Sequence, residues 1–284
     1  MFKTSRRISF VAAMVVCVVA MFAAVSHASH SWGGYHWART ANPFTLKVGN
    51  NLSSNWTTQF NTALADWSNS SVMNLTAIAG SAGRNCKMVA GTVQVCNRTY
   101  GNNGWLGLAS INITGGTHIT QGTAKMNDTY FNTSTYNNPN EKLHVMCQEV
   151  GHTFGLDHQS TSGASLNTCM DYFSNTGANA NSTLSTHPNT HDYDELVTIY
   201  SHLDSFTTLA GPTSAASTGS EATDKSEVTD KPETWGQLLR QSKSGRSSEY
   251  GRLNSDGSET YTHVYWTLEA AERCAQCDHR YDQQ

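Results

Sequence analysis

The sequence predicts a mixed α+β fold, and three observations support this class. Apolar and polar residues alternate over residues 44–48, a helical repeat follows over 54–67, and further strand-like stretches precede two more helical ones. Strands followed by a central and a terminal helix are typical of a mixed α+β domain. Of the 284 residues, 38% are hydrophobic and 10% aromatic, which is enough for a packed core and excludes wholesale disorder.

The elements are expected in the following order. Phe44–Val48 alternates as a strand, and the helix after it has Ser53 or Ser54 as N-cap and Trp56, Phe60, Ala63, Leu64 and Trp67 at helical spacing. The rest are a strand at 72–79, a hairpin or pinched loop at 86–96, strands at 104–113 and 118–126, and helices at 139–152 and 192–203. Gly155 is the expected stop of the central helix.

The first 28 residues are typical of a secretory signal peptide. Lys3, Arg6 and Arg7 precede an apolar run over residues 8–25, and small residues allow cleavage after Ala28. An uncleaved anchor helix is the alternative, because the run approaches the length of a membrane span. Cleavage predicts a secreted, extracellular protein without a membrane anchor. The formal net charge of −4 gives no electrostatic reason to expect nucleic acid as a partner, and we expect a monomer.

Six cysteines follow the signal peptide, and an even number in an oxidising compartment favours disulfides. Proximity in the chain favours Cys86–Cys96, Cys147–Cys169 and Cys274–Cys277 among fifteen possible pairings. The last pair lies close to His279, so a metal site or redox exchange is the alternative there.

Charge density marks a boundary near residue 204, since the chain beyond it carries as many charged residues as the whole chain before it. We therefore expect a main domain over 29–204 and a Ser/Thr-rich linker over 205–231, which is too poor in apolar residues to order itself. Residues 232–284 contain several aromatic residues. They form either a small module of unknown role or a segment that packs back on the main domain.

The chemistry is concentrated in the segment from Cys147 to His158. Gln148 and His152 are four residues apart and project from one face of a helix, while Glu149 lies about 100° around it. Gly155 permits a sharp turn that brings His158 back toward His152. Two imidazoles beside a carboxylate at this spacing predict a metal site with a base that does not bind the metal.

This segment resembles the zinc-binding signature of the metzincin proteases, H-E-x-x-H-x-x-G-x-x-H. Glu149, His152, Gly155 and His158 match it, and the stretch around Met170 is similar to the Met-turn beneath the metal in that clan. The order of elements is similar to the matrixin branch, over roughly residues 30–204. The resemblance implies a twisted mixed sheet with two helices above a zinc cleft. An irregular lower subdomain with the Met-turn and a C-terminal helix would lie below it.

The chain departs from the signature at its first position, where Gln148 replaces a histidine. The expected zinc ligands are therefore Gln148, His152 and His158, and the neutral amide should weaken the site. His144 lies one turn earlier, about 6 Å along the helix axis, and would join only if the metal shifted toward it. A Cys147–Cys169 disulfide would tie the metal helix to the Met-turn and hold the geometry of a weakened site.

The resemblance implies a secreted zinc-dependent endopeptidase acting on protein or peptide substrates. Glu149 would serve as general base toward a metal-activated water, and Tyr172 would ligate zinc or donate to the oxyanion, unless it merely packs. Asp157 either orients an imidazole or solvates the turn. Two alternatives remain: a pseudoprotease of the same fold that lost its metal through Gln148, and a metallohydrolase of non-peptide amides or esters.

Overall fold

A nine-stranded mixed sheet organises the described residues of the computed structural model, which describes 29–211, 232–274 and 277–279. The expected signal peptide and residues 212–231 of the expected linker lie outside these ranges. The mixed α+β class is confirmed, because one large sheet is combined with a few helices.

The sheet has a mostly parallel half and an antiparallel half. The strands are β1 His36–Trp37, β2 Phe44–Asn51, β3 Met73–Ala79, β4 Thr92–Arg98, β5 Trp105–Thr114, β6 His118–Asn127, β7 Gln237–Gln241, β8 Ser247–Leu253 and β9 Glu259–Trp266. Their order in the sheet is β3-β2-β4-β6-β5-β9-β8-β7, and β1 pairs parallel to β6 just before the stretch of β6 that pairs with β4. The strands β2, β3, β4 and β6 are parallel, and every pairing from β6 through β5 to β7 is antiparallel.

Two of the helices build the main core against the sheet. They are the helix that ends at Trp67 and the helix that contains Cys147. Trp67 packs against the second of these and donates its indole N–H to the Cys147 carbonyl at 3.0 Å. The helices are α1 Thr57–Trp67, α2 Asp128–Phe131, α3 Pro139–His152, α4 Thr190–Ile199 and α5 Leu268–Arg273, with 3₁₀ turns at Ser54–Trp56, Gly177–Asn179 and Pro232–Thr234. The helices predicted at 54–67 and 139–152 therefore form where the apolar repeat places them.

The C-terminal strands extend this sheet. Strand β9 pairs with β5 along eight registered positions, and β8 and β7 follow as an antiparallel meander. A second apolar cluster fills the junction, with Trp105 and Leu108 from β5 packed against Trp235, Tyr250, Val264, Trp266 and Ala270. The described part of residues 232–284, which is 232–274 and 277–279, therefore packs on the main domain and extends its sheet.

Two elements differ from their predicted extents. The last helix ends at Ile199 instead of Leu203, because the Tyr200 carbonyl accepts hydrogen bonds from Arg39 and Asn42 and Leu203 is 56% exposed. Without an apolar partner at its end, the last turn gains little from staying helical. Within residues 86–96, the part from Thr92 onward is strand β4, paired with β2 and β6.

All three expected disulfide pairs lie at bonding distance. They join Cys86 to Cys96, Cys147 to Cys169, and Cys274 to Cys277. The second ties α3 to the loop that contains Met170. Among the described residues, no helix is both long and apolar enough to span a bilayer.

Replacing Trp266 with alanine should lower the free energy of unfolding by about 3–5 kcal/mol, because its fully buried ring fills the junction between β5 and the C-terminal strands. Chemical denaturation monitored by circular dichroism measures the effect. Leu253→Ala on the neighbouring strand is the control, since Leu253 is 72% exposed and its loss should cost about 0.5 kcal/mol or less. Equal denaturant concentrations at the midpoint of unfolding for the two variants would show that the junction contributes nothing to stability.

Candidate metal centre

Helix α3 and the turn after it deliver two of the expected histidines. The helix begins with Asn138 as N-cap, whose side chain accepts the Glu141 N–H, and it ends at His152. Gly155 follows with φ of +100°, where a Cβ atom would lie 2.0 Å from the Tyr35 carbonyl oxygen. Only glycine fits this turn. The chain therefore doubles back and brings the rings of His152 and His158 to 4.5 Å between centroids.

A third histidine comes from the C-terminal strands. Strand β9 places His263 opposite Ala109 of β5, and its ring stacks on His152 at 4.2 Å and lies 4.9 Å from His158. His152, His158 and His263, here called the imidazole cluster, each offer a ligand atom within 4.8 Å of the others. This group can hold a metal ion.

Hydrogen bonds fix which ring nitrogens face the cluster. His152 Nδ1 lies 2.8 Å from the Leu156 carbonyl oxygen and must donate to it, so its Nε2 keeps a lone pair. His158 Nδ1 lies 3.1 Å from Asp157 Oδ1, which leaves the lone pair on Nε2, the nitrogen that the Tyr172 hydroxyl contacts at 2.9 Å. His263 is 2% exposed, yet neither of its ring nitrogens has a hydrogen-bond partner among the described residues. A buried imidazole without a hydrogen bond is expected where a bound metal ion would take up the lone pair of the ring nitrogen.

Burial also sets the charge of the cluster. Desolvation, reinforced by the neighbouring imidazoles, holds the pKa of His152 and of His263 well below the ordinary histidine value. Both rings are therefore neutral near pH 7, and neutral imidazole is the form that binds a metal ion.

Glu149 lies between α3 and β5, with 1% of its surface exposed. A Cβ atom on Gly107 would lie 2.4 Å from Glu149 Oε1, so a glycine in β5 makes room for the carboxylate. Oε2 has no hydrogen-bond partner among the described residues, and burial raises the pKa of Glu149 well above the usual value. A buried carboxylate with this little compensation needs a nearby cation to ionise at neutral pH.

The loop beneath the helix contributes Met170 and Tyr172. The Tyr172 hydroxyl lies 2.9 Å from His158 Nε2, and the ring is 2% exposed. Burial raises the pKa of Tyr172 well above that of a free phenol, so it is a neutral hydrogen-bond donor. Met170 packs under α3 at Gly151, where a Cβ atom would lie 2.8 Å from its sulfur.

Gln148 projects from α3 toward this same loop. Its Nε2 donates to the carbonyl oxygens of Cys169 and Asp171, both at 2.8 Å, and its buried Oε1 has no partner among the described residues. Its amide therefore fastens the helix to the loop, alongside the Cys147–Cys169 disulfide. His144 lies outside the imidazole cluster, since its ring nitrogens face the Asp171 carbonyl and the Asn175 side chain.

Asp157 connects the cluster to the C-terminal strands. It orients His158, which is the first of the two roles expected for it from the sequence. It also pairs with Arg240 of β7, which in turn binds Glu249 at 3.0 Å. Burial alone would raise the pKa of Asp157, but the His158 hydrogen bond and the nearby cationic groups hold it far below the usual range. A cavity of about 630 Å³ opens beside Asp157 and His158, lined by the β7–β8 hairpin and residues 160–162.

Sequence reasoning missed His263 because it is 105 positions from His158 and matches no motif spacing. The signal that points to it is the alternation in Tyr261-Thr-His263-Val-Tyr265, which predicts a strand with one face of two tyrosines and a histidine. In the structure that face turns toward α3, where Tyr265 contacts His144 and Tyr172.

No protein-family model matches this chain, and no curated protein matches it at a significant level. The resemblance to the metzincins therefore rests on the motif residues alone and stays a prediction.

His263→Ala should remove about one equivalent of bound zinc, whereas Gln148→Ala should keep it and only lower thermal stability, through the two lost hydrogen bonds to the loop. Metal analysis of the purified variants after dialysis measures the difference. His187→Ala is the matched control, because its side chain is 52% exposed and lies outside the cluster. Zinc loss in Gln148→Ala with retention in His263→Ala would instead restore the ligand set predicted from sequence.

Proposed function

We propose that the protein is a secreted, zinc-dependent peptide hydrolase. The observation that carries the proposal is the convergence of three imidazoles with buried side chains, of which His263 makes no hydrogen bond among the described residues. The helix that carries His152 also carries the buried carboxylate of Glu149, whose Oε2 has no hydrogen-bond partner among them either. Three protein ligands leave the open fourth position that catalytic zinc sites need. The disulfides support export, since they persist in oxidising compartments.

The residues present fit zinc better than a hard cation. The cluster offers imidazole nitrogen, which suits zinc and other transition metals, whereas calcium and magnesium prefer oxygen ligands. In this proposal His152, His158 and His263 are the ligands, and His263 takes the place that the signature gives to the residue at position 148. The Gln148 amide then keeps its structural role toward the loop.

Bound zinc would supply Lewis-acid chemistry, polarising a scissile carbonyl and lowering the pKa of water. Glu149 accepts the proton of the attacking water at its unpartnered oxygen and passes it to the leaving amine. Its ionised form is favoured once a cation offsets the burial. Tyr172 is neutral, and its hydroxyl lies 2.9 Å from His158 Nε2; if His158 held a metal ion, this O–H would instead be free to donate to the developing oxyanion. Asp157 holds His158 in the ligating tautomer.

One observation favours a second candidate, a metal-binding protein of the same fold without peptidase activity. Strand β9 fills the edge of β5, which an extended peptide would otherwise use by strand addition, and the cluster residues are almost fully buried. Substrate must then enter through the cavity beside His158. Zinc in the wild type without cleavage of casein or of short peptides would favour this candidate.

Glu149→Gln should reduce cleavage of casein by about 10²–10⁴-fold while zinc content stays at the wild-type value, because the amide keeps the shape of the side chain but cannot accept the proton. Initial rates of fluorescent casein hydrolysis, combined with metal analysis of the same samples, measure both effects. Glu141→Gln is the matched control, since it alters another buried carboxylate on the same helix. Equal loss in both variants, or none in either, would contradict the role of Glu149.

A further inference from the structure

A second group of ligand-type side chains lies at the other end of the sheet. Strands β1 and β6 pair so that His36 is directly opposite His118. The segment after α4 adds His202 and Asp204, and Arg39 holds it there by donating to Asp204 Oδ2 at 2.9 Å. Three distant parts of the chain therefore meet at these four side chains, here called the β1–β6 cluster.

Ligand atoms of His36, His118 and Asp204 lie within 4.8 Å of one another, and His202 lies beside this group. Asp204 Oδ1 lies 3.2 Å from Nε2 of His118, 3.6 Å from Nε2 of His36 and 3.8 Å from Nε2 of His202. The Nε2 atoms of His36 and His202 are 3.1 Å apart. In a tetrahedral zinc site with bonds of about 2.0–2.1 Å, neighbouring ligand atoms are roughly 3.3 Å apart. The observed separations bracket that value.

Hydrogen bonds from neighbouring groups orient the ligand atoms of the β1–β6 cluster. His36 Nδ1 lies 2.9 Å from the Gly34 carbonyl oxygen and donates to it, so Nε2 faces the cluster with its lone pair. A histidine that binds metal commonly donates its other ring nitrogen in this way. Asp204 uses one oxygen for Arg39 and keeps the other for the cluster. The side chains of His36 and Asp204 are 6% and 8% exposed, while the His202 side chain is 52% exposed and leaves a path for an ion.

We propose that His36, His118, His202 and Asp204 form a second zinc site, with a structural role. His36, His118 and Asp204 form the group, and His202, whose Nε2 lies 3.1 Å from Nε2 of His36, would complete it as the fourth ligand. Four protein ligands would close the coordination sphere, which is the arrangement of structural rather than catalytic zinc. Bound zinc would tie the N-terminal strand and the segment after α4 to β6. The site shares no residue with the imidazole cluster and does not depend on the peptidase proposal.

The test is metal stoichiometry of the full chain, purified, incubated with zinc chloride and freed of loose metal by gel filtration. Wild type is compared with His118→Ala/His202→Ala, with His263→Ala, and with the control His187→Ala. The double variant should lose about one equivalent of zinc, His263→Ala a different one, and the combination of all three substitutions should bind none. Cobalt in the His263→Ala background should show tetrahedral absorption bands.

Thermal unfolding gives a second readout. At free zinc about 100-fold above its Kd, the His263→Ala protein should gain about 5–10 °C in Tm, and this gain should vanish when His118 and His202 are also replaced. Unchanged zinc content in the double variant, or an equal gain in Tm with and without the two histidines, would show that the cluster is only a hydrogen-bonded group. His202→Gln, at the half-exposed position, replaces the double variant if the latter fails to fold.

Discussion

The pairing of β9 with β5 is the constraint on which the candidate site depends. Its register sets Tyr265 opposite Gly107 and His263 opposite Ala109, so one face of β9 meets the helix that carries Glu149 and His152. A shift by one residue would turn His263 to the opposite face. The indole rings of Trp235 and Trp266 on that opposite face, buried with Trp105, fix the register by hydrophobic packing. The candidate site and the second apolar cluster thus lie on the two faces of one strand.

Local patterns predicted the parts of the molecule that depend on local interactions. The helix at 57–67 follows from apolar spacing, although neither Ser53 nor Ser54 caps it with its side chain, and the helix at 139–152 begins at its Asn138 cap. The three cysteine pairs follow from short separations in an oxidised chain. The placement of His263 depends on strand pairing across more than 150 residues, and no local propensity encodes such a pairing. The motif therefore predicted two of the three histidines of the imidazole cluster, together with the nearby Glu149 of the same helix.

Gln148 illustrates why spacing alone does not fix the role of a side chain. The i, i+4 relation to His152 holds on α3, but a side chain four residues away can point at a ligand or at the neighbouring loop. Here the two carbonyls of the Met170 loop need donors, and the amide nitrogen supplies them. A neutral imidazole in the same place would have one donor for the two acceptors. The loop therefore accounts for the amide nitrogen, while the amide oxygen has no partner among the described residues.

The N-terminal segment links the two clusters. Trp32 contacts the rings of His152 and His263, and its indole N–H donates to Glu249, while His36 lies four residues further along. The backbone is held just before Trp32 by the bridge from Ser31 to Leu156, and from His36 onward by the pairing of β1 with β6. Because the segment is short and fixed at both ends, a displacement of His36 would also displace Trp32. Zinc bound to the β1–β6 cluster would therefore stabilise the wall of the imidazole cluster as well as the edge of the sheet.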